Sequence, residues 1–176
     1  MRILKWLAGV IVGLALLFVV VGFFLPGSFT VVRSLAIAAP PEKVYALVAD
    51  PRGWKQWSAW NKRDPQMQIE YGGPPAGMGA KWSWKSKSQG DGEMTFTAAE
   101  PAKRVAFDLY FPDLGTTSKG ELRFEPAGPG TRVTWTMNGD MGSNPIYHWF
   151  ALGADGMVGK DFEEGLAGLK AVAEKP

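Results

Sequence analysis

A run of twenty uncharged residues, Trp6 to Leu25, lies near the start of the chain. Fourteen of the twenty are Leu, Ile, Val or Phe. As a helix, the run would be about 30 Å long, which matches the hydrocarbon thickness of a bilayer. We therefore predict a transmembrane helix over about 6–25, within a membrane anchor of residues 1–26.

The charges that flank the run predict its orientation. Arg2 and Lys5 precede it, and the positive-inside rule keeps such residues in the cytoplasm. The pattern predicts a single-pass membrane protein with a cytoplasmic N-terminus. Everything after Leu25 is then expected in the periplasm or outside the cell.

A cleaved signal peptide is the alternative interpretation of this run. The apolar region of a signal peptide usually has roughly 7–15 residues and is followed by small residues of the A-x-A type. Here the run is longer and leads into the bulky sequence GFFLPG at 22–27. Both features favour an uncleaved anchor.

The remaining segment, 27–176, is long enough for one domain with a hydrophobic core. Without Arg2 and Lys5, the 19 basic residues become 17, equal to the 17 acidic residues. A formally neutral segment argues against a nucleic-acid partner. The chain has no cysteine, which excludes disulfides, thiolate metal sites and a cysteine nucleophile. Phosphate-loop, HExxH and GxSxG motifs are absent too, so no metal, cofactor or catalytic residue is predicted.

The first part of this domain alternates between strand and helix signals. A strand is predicted at 29–38, and a helix begins at Pro41 and continues through about Ala49. A second short helix carries Trp54, Trp57 and Trp60, whose spacing of three puts them on one helical face. Two short helices therefore follow the first strand.

Six further segments alternate between polar and apolar residues, which is typical of an antiparallel sheet with one buried face. A helical period returns with an apolar stripe from about Asp155 to Glu174, and 145–152 is interpreted as a separate helical turn. The expected fold is α+β, with a seven-stranded curved antiparallel sheet around a long C-terminal helix. One helix, about 10 Å wide, cannot fill such a sheet, so a cavity is expected between them.

Two segments resemble the START-like, or SRPBCC, superfamily, whose domains are often described as polyketide cyclase/dehydrase-like. They are APPEKVYALVADPRGWKQWSAW at 39–60 and DFEEGLAGLKAVAE at 161–174. The resemblance covers about 29–175. It implies a helix-grip domain, spanning 27–176, that holds a hydrophobic ligand. Members often have Trp-Ser-Pro-Trp where this chain has Ala59 in third place.

The alternation assigns many large side chains to the concave face of the sheet. Aromatic rings dominate the walls of sites for apolar ligands, so a subset of these side chains is expected to line a pocket with the final helix. The predicted pocket residues are Trp57, Trp60, Trp82, Trp84, Phe96, Phe107, Leu109, Trp135, Met137, Phe162 and Leu166.

Two polar residues are candidate pocket groups. Arg33 falls on the apolar face of the first strand, where it would need a carboxylate or a polar ligand. The other interpretation is a register break or a wet position near the membrane. His148 is the single histidine and could act as an acid or base only with a partner from elsewhere in the fold. Otherwise it is an ordinary surface or rim histidine.

These observations predict a membrane-anchored domain that binds a hydrophobic small molecule or lipid without covalent chemistry. Its partners would be that ligand and the membrane, through the N-terminal helix. One alternative is a cyclase/dehydratase-like enzyme, in which His148, Tyr110 or Asp108 would project into the pocket. Another is an accessory domain that contacts a cell-envelope protein through exposed aromatic residues.

Overall fold

A computed structural model describes residues 2–176. The first helix, α1, spans Arg2–Gly22, and nearly all of its side chains are exposed. Its 21 residues are long and apolar enough to cross a membrane. The helix ends three residues before Leu25, because Gly22 packs directly against the backbone of Pro145 and the chain turns there.

Seven strands form one antiparallel sheet in the order β1-β7-β6-β5-β4-β3-β2. The predicted α+β helix-grip class is confirmed, with the curved sheet around a long C-terminal helix. The strands span Ser28–Ile37 (β1), Gln68–Gly72 (β2), Lys81–Lys85 (β3), Gly92–Glu100 (β4), Arg104–Phe111 (β5), Thr116–Ala127 (β6) and Gly130–Asp140 (β7).

Three short helical pieces follow helix α2, which spans Pro41–Ala49. They are a 3-10 turn at Pro51–Gly53, α3 at Trp54–Trp57 and α4 at Ala59–Arg63. The prediction of one tryptophan-bearing helix was therefore wrong. Ser58 is extended, with φ −60° and ψ 136°, and it separates α3 from α4. As a result, Trp60 stands on a different helix from Trp54 and Trp57.

The C-terminal helix α5 spans Pro145–Ala173 and has 29 residues. The prediction of a start near Asp155, after a separate turn at 145–152, was wrong. The helix continues through Gly153 and Gly156, where glycine costs only about 1 kcal/mol relative to alanine. Asn144 caps its start by accepting a hydrogen bond from the backbone N–H of Ile146 at 3.0 Å.

The sheet has two ends that differ in packing. We call the end where β1 begins the anchor end; it also holds the end of β7 and the β5–β6 and β3–β4 turns. The opposite end is the far end. Helix α2 packs against β5, β6, β7 and α5 there and completes a solid core. Buried residues of this core include Ile37, Val44, Val48, Val105, Leu122, Phe124, Val133 and Leu169.

Arg33, in the middle of the edge strand β1, joins this strand to α5. Its guanidinium donates to Asp155 Oδ1 at 2.8 Å and Oδ2 at 3.2 Å, and its Nε donates to Glu163 Oε1 at 2.6 Å. Hydrogen bonds to Asp155, and then to Glu163, raise the pKa of Arg33 above its ordinary value. β1 pairs with β7 without a register break, so the alternation of side chains places Arg33 on the side of the sheet that faces α5. Two carboxylates of α5 stabilise its charge there.

Two glycines of α5 provide a matched test of this packing. A methyl group at Gly168 would overlap the carbonyl oxygen of Trp57, whereas Gly156 has no neighbour within 4 Å. We expect Gly168→Ala to destabilise the fold by about 1–3 kcal/mol through overpacking. Gly156→Ala should stabilise it by up to about 1 kcal/mol through helix propensity. Thermal unfolding in detergent micelles, followed by circular dichroism, measures both; equal effects would contradict the helix placement.

The Arg33 contacts predict a pH dependence. The hydrogen bond from Arg33 holds the pKa of Asp155 below its ordinary value. Its contribution to stability is therefore present above the unfolded-state pKa of about 3.9 and is lost as pH falls through the lower folded pKa. We expect Asp155→Asn to be less stable than the wild type at pH 7, and the difference to close in acid. A melting-temperature series from neutral to acidic pH tests this; a constant difference would contradict it.

Candidate functional site

A cavity of about 330 Å³ lies between the anchor end of the sheet and the N-terminal two-thirds of α5. This volume lies at the lower end of the range typical of small-molecule sites. The apolar side chains around it are Phe29, Trp54, Trp60, Met67, Trp82, Trp84, Met94, Phe107, Leu109, Phe111, Leu114, Trp135, Met137, Met141, Phe150, Met157, Val158 and Phe162. Leu114, Phe150 and Met157 are also solvent-exposed, so the cavity is open to the outside.

Trp135 forms the floor of the cavity at the centre of β7. Its ring stacks on Phe162 with centroids 4.0 Å apart and meets Trp54 and Trp60 edge-on at 5.6 and 5.9 Å. Its Nε1 is buried without a hydrogen-bond partner among residues 2–176. The neighbouring groups are aromatic faces, which accept such a hydrogen only weakly. The floor of the cavity is therefore a cluster of packed aromatic rings with one unpaired N–H group.

Eight of the eleven predicted pocket residues stand on the cavity wall: Trp60, Trp82, Trp84, Phe107, Leu109, Trp135, Met137 and Phe162. The other three, Trp57, Phe96 and Leu166, are buried but do not reach the cavity. Trp57 donates through Nε1 to the carbonyl of Leu47 at 3.1 Å, on the α2 side of the fold. Alternation predicts which face of the sheet a side chain lies on. It does not predict whether that part of the face is covered by another helix or lines a cavity.

Several wall residues were missed by the sequence prediction. Phe150, Met157 and Val158 belong to the part of α5 that was assigned to a separate turn or placed near the helix start. Extending the apolar stripe backwards from Phe162 through Val158 would have found them. Phe29, at the start of the predicted strand, shares the apolar face of Val31 but was not chosen as a pocket residue, and Met141, just after β7, had no periodic signal of its own.

Polar groups also contribute to the wall. Ser58 and Ser118 are 2% and 3% exposed, and the Ser58 hydroxyl does not cap α4. Asp161 accepts a hydrogen bond from Trp60 Nε1 at 3.1 Å and pairs with Arg63 at 2.6 Å. Hydrogen bonds to Glu164 and Asp161 raise the pKa of Arg63. Asn61, Ser88, Gln89 and Thr116 complete the polar part.

Neither predicted polar pocket group reaches the cavity. Arg33 binds its two carboxylates beside Gly159 of α5. The ring nitrogens of His148 lie 2.8 Å from the carbonyl oxygen of Gly22 and 2.9 Å from that of Gly142. His148 thus connects the end of α1 to the start of α5 and has no carboxylate partner among the described residues.

The other two acid–base candidates lie on the outer face of the sheet. Tyr110 is 42% exposed, and Asp108 pairs with Lys119 at 3.1 Å. Within residues 2–176, no three His, Cys, Asp or Glu side chains come close enough together to hold a metal ion. The only titratable side chain among the cavity's described wall residues is Asp161.

Comparisons with known proteins agree with this architecture. A protein of Mycobacterium tuberculosis, described as uncharacterized, is 27% identical over 109 residues. The match covers 60% of this chain and 62% of that protein, so the chain spans less than two-thirds of the relative's length.

Solved structures share the fold at low sequence identity. A protein from Rhizobium leguminosarum is similar with a TM-score of 0.64 and 17% identity, over 85% of this chain and 96% of that one. The di-domain ARO/CYC protein BexL, from the BE-7585A biosynthetic pathway, is similar with a TM-score of 0.57 and 18% identity. That match covers 85% of this chain and 51% of BexL.

The family model described as "Polyketide cyclase / dehydrase and lipid transport" matches residues 28–174, from the start of β1 to the end of α5. The chain therefore belongs to this family.

Proposed function

We propose that this chain is a single-pass membrane protein whose domain binds a hydrophobic small molecule or lipid without covalent chemistry. The observation that supports this most directly is the position of the cavity. It lies at the anchor end of the sheet, and its wall includes Phe150 and Met157 from the part of α5 nearest to α1.

Contacts between α1 and α5 hold the anchor beside the cavity. Trp149 stacks on Phe18 with centroids 4.6 Å apart and planes 7° apart. Its Nε1 donates to the carbonyl of Phe18 at 3.2 Å. One residue further along α5, Phe150 packs edge-on against Phe29 at 5.8 Å and lines the cavity. The anchor helix is therefore two side chains away from the cavity wall.

These contacts also suggest the height of the cavity relative to a bilayer. Phe18 lies four residues, or about 6 Å of helix, before the end of α1. If α1 spans the hydrocarbon layer, then Trp149 lies at the interface, where tryptophan is enriched. Ile146 and Leu152 of the same helix are 51% and 57% exposed. A ligand could then pass between the bilayer and the cavity without crossing water.

Binding fits the wall better than catalysis does. His148, Tyr110 and Asp108, the acid or base candidates that the sequence offered for an enzyme, are all outside the cavity. Asp161 is on the wall, but both of its carboxylate oxygens already accept hydrogen bonds or pair with a cation. A wall of aromatic and thioether side chains holds an apolar molecule through burial, which contributes roughly 25 cal/mol per Å².

A pair of substitutions on β6 tests the site. Ser118 points into the cavity, and Thr117, its neighbour, is exposed on the opposite face. We expect Ser118→Phe to fill part of the cavity and to weaken binding of a dansyl-labelled fatty alcohol by at least about tenfold, or about 1.4 kcal/mol. Thr117→Phe should leave it unchanged. Energy transfer from the wall tryptophans to the dansyl group measures binding to the full chain in non-ionic micelles.

The outcomes of that titration separate the candidate functions. No saturable binding by the wild type, or equal binding by both variants, would overturn the proposal. A ligand recovered with an altered mass after long incubation would favour the enzyme instead. The melting temperature of each variant serves as the folding control.

The proposed topology is also testable, because the chain contains no cysteine. With Arg2 and Lys5 in the cytoplasm, a membrane-impermeant maleimide should label Lys103→Cys in intact spheroplasts and should not label Ile3→Cys. After lysis, both variants should be labelled on the full-length band. Labelling in the opposite pattern would reverse the topology, and loss of the Ile3→Cys label from the mature band would show cleavage.

A further inference from the structure

The charge of the cavity wall restricts the ligands that it can hold. Among residues 2–176, no Lys, Arg or His lines the cavity, and the single ionisable wall residue is Asp161. A ligand with a negative group would therefore find no cation on the wall. It would find a carboxylate instead.

The cation beside Asp161 is already paired with two carboxylates. Arg63 pairs with Asp161 Oδ1 at 2.6 Å and with Glu164 Oε2 at 2.6 Å, so two carboxylates share one guanidinium. The second oxygen of Asp161 accepts the N–H of Trp60 at 3.1 Å. This group of three side chains has a net negative charge, which opposes an incoming carboxylate or phosphate.

Both orientations of an anionic lipid are then unfavourable. With its head towards Trp135 and Phe107, the charge would be buried among neutral donors and aromatic faces with no cation to pair with it, which costs several kcal/mol. With its head towards the opening at Met157, it would lie about one helical turn from Asp161, whose side chain is 20% exposed. Like charges at that distance repel, although solvent screens the effect.

An uncharged polar group meets a different environment. The hydroxyls of Ser58 and Ser118 lie on the wall of a nearly buried site, and each can donate or accept a hydrogen bond. Asn61, Gln89 and Thr116 add amide and hydroxyl groups of the same kind. These neutral groups satisfy a hydroxyl, ester or ketone in full, whereas a carboxylate would still lack a cation to offset the cost of burying its charge.

From this arrangement we infer that the cavity selects uncharged amphiphiles, that is, an apolar chain or ring system with a hydroxyl, ester or ketone group, over fatty acids and other anionic lipids. The inference rests on the proposed function and names the ligand class for the same site. Asp161 acts in it as the residue that excludes anions.

Oleyl alcohol and oleic acid provide a matched pair of ligands, with the same chain and different head groups. Each would displace the dansyl-labelled fatty alcohol from the full chain in non-ionic micelles at pH 9, where the acid is ionised. After correction for partition into protein-free micelles, we expect the alcohol to bind at least about tenfold more tightly. Asp161→Asn retains an acceptor oxygen for Trp60 and should reduce this ratio several-fold. Glu163→Gln removes one charge from the same helix, away from the cavity, and should leave the ratio unchanged.

The possible results test the two proposals separately. If neither compound displaces the probe and the probe itself does not bind, the proposed function fails. If both compounds bind and the acid binds as tightly as the alcohol, the ligand class is wrong while the binding function stands. An equal loss of discrimination in Asp161→Asn and Glu163→Gln would show that Asp161 has no special role.

Discussion

One long helix, α5, packs on the concave face of a seven-stranded sheet. It packs closely at one end of the sheet and leaves space at the other, and this difference determines where the core and the cavity lie. At the far end, α5 lies very close to its neighbours: a methyl group on Gly165 would be 2.9 Å from the ring of Trp135, and one on Gly168 would overlap the backbone of Trp57. Helix α2 fills the remaining space there. At the anchor end, the short helices α3 and α4 cover only part of the sheet, with Trp54 and Trp60, and a cavity remains between the sheet and α5. Core and cavity are thus two consequences of one packing constraint.

Helix α1 packs against the N-terminal half of α5, which contributes little to the core at the far end. Trp149, His148 and Pro145 contact the last turn of α1, while Phe150 and Met157 face the cavity. A helix usually has one apolar stripe, but this part of α5 is apolar on two sides. Because apolar groups pack on both sides of this segment, it contains no charged residue between Pro145 and Ala154. It also places the domain's opening close to the membrane in the proposed topology.

Polar groups have separate structural and binding roles. Arg33 and His148, the two conspicuous polar residues in the sequence, each connect α5 to another element. The groups that face the cavity are less conspicuous: three serines, a threonine, two amides and one carboxylate that pairs with Arg63. A wall of this kind offers hydrogen bonds without a positive charge, which is why we expect it to discriminate between neutral and anionic amphiphiles.

The sequence alone determined the elements and the fold class. Strict alternation, as in Val105-Ala106-Phe107-Asp108-Leu109, defines a one-sided strand, and one face of each strand must then pack inward. It did not determine the break at Ser58, the start of α5 at Pro145 or the ends of the cavity. Those depend on contacts between residues far apart in the chain, such as Trp149 with Phe18 and Asp161 with Trp60. Periodicity depends only on residues that are close in the sequence. The position of a cavity depends on how helices and strands that are distant in the sequence pack against one another.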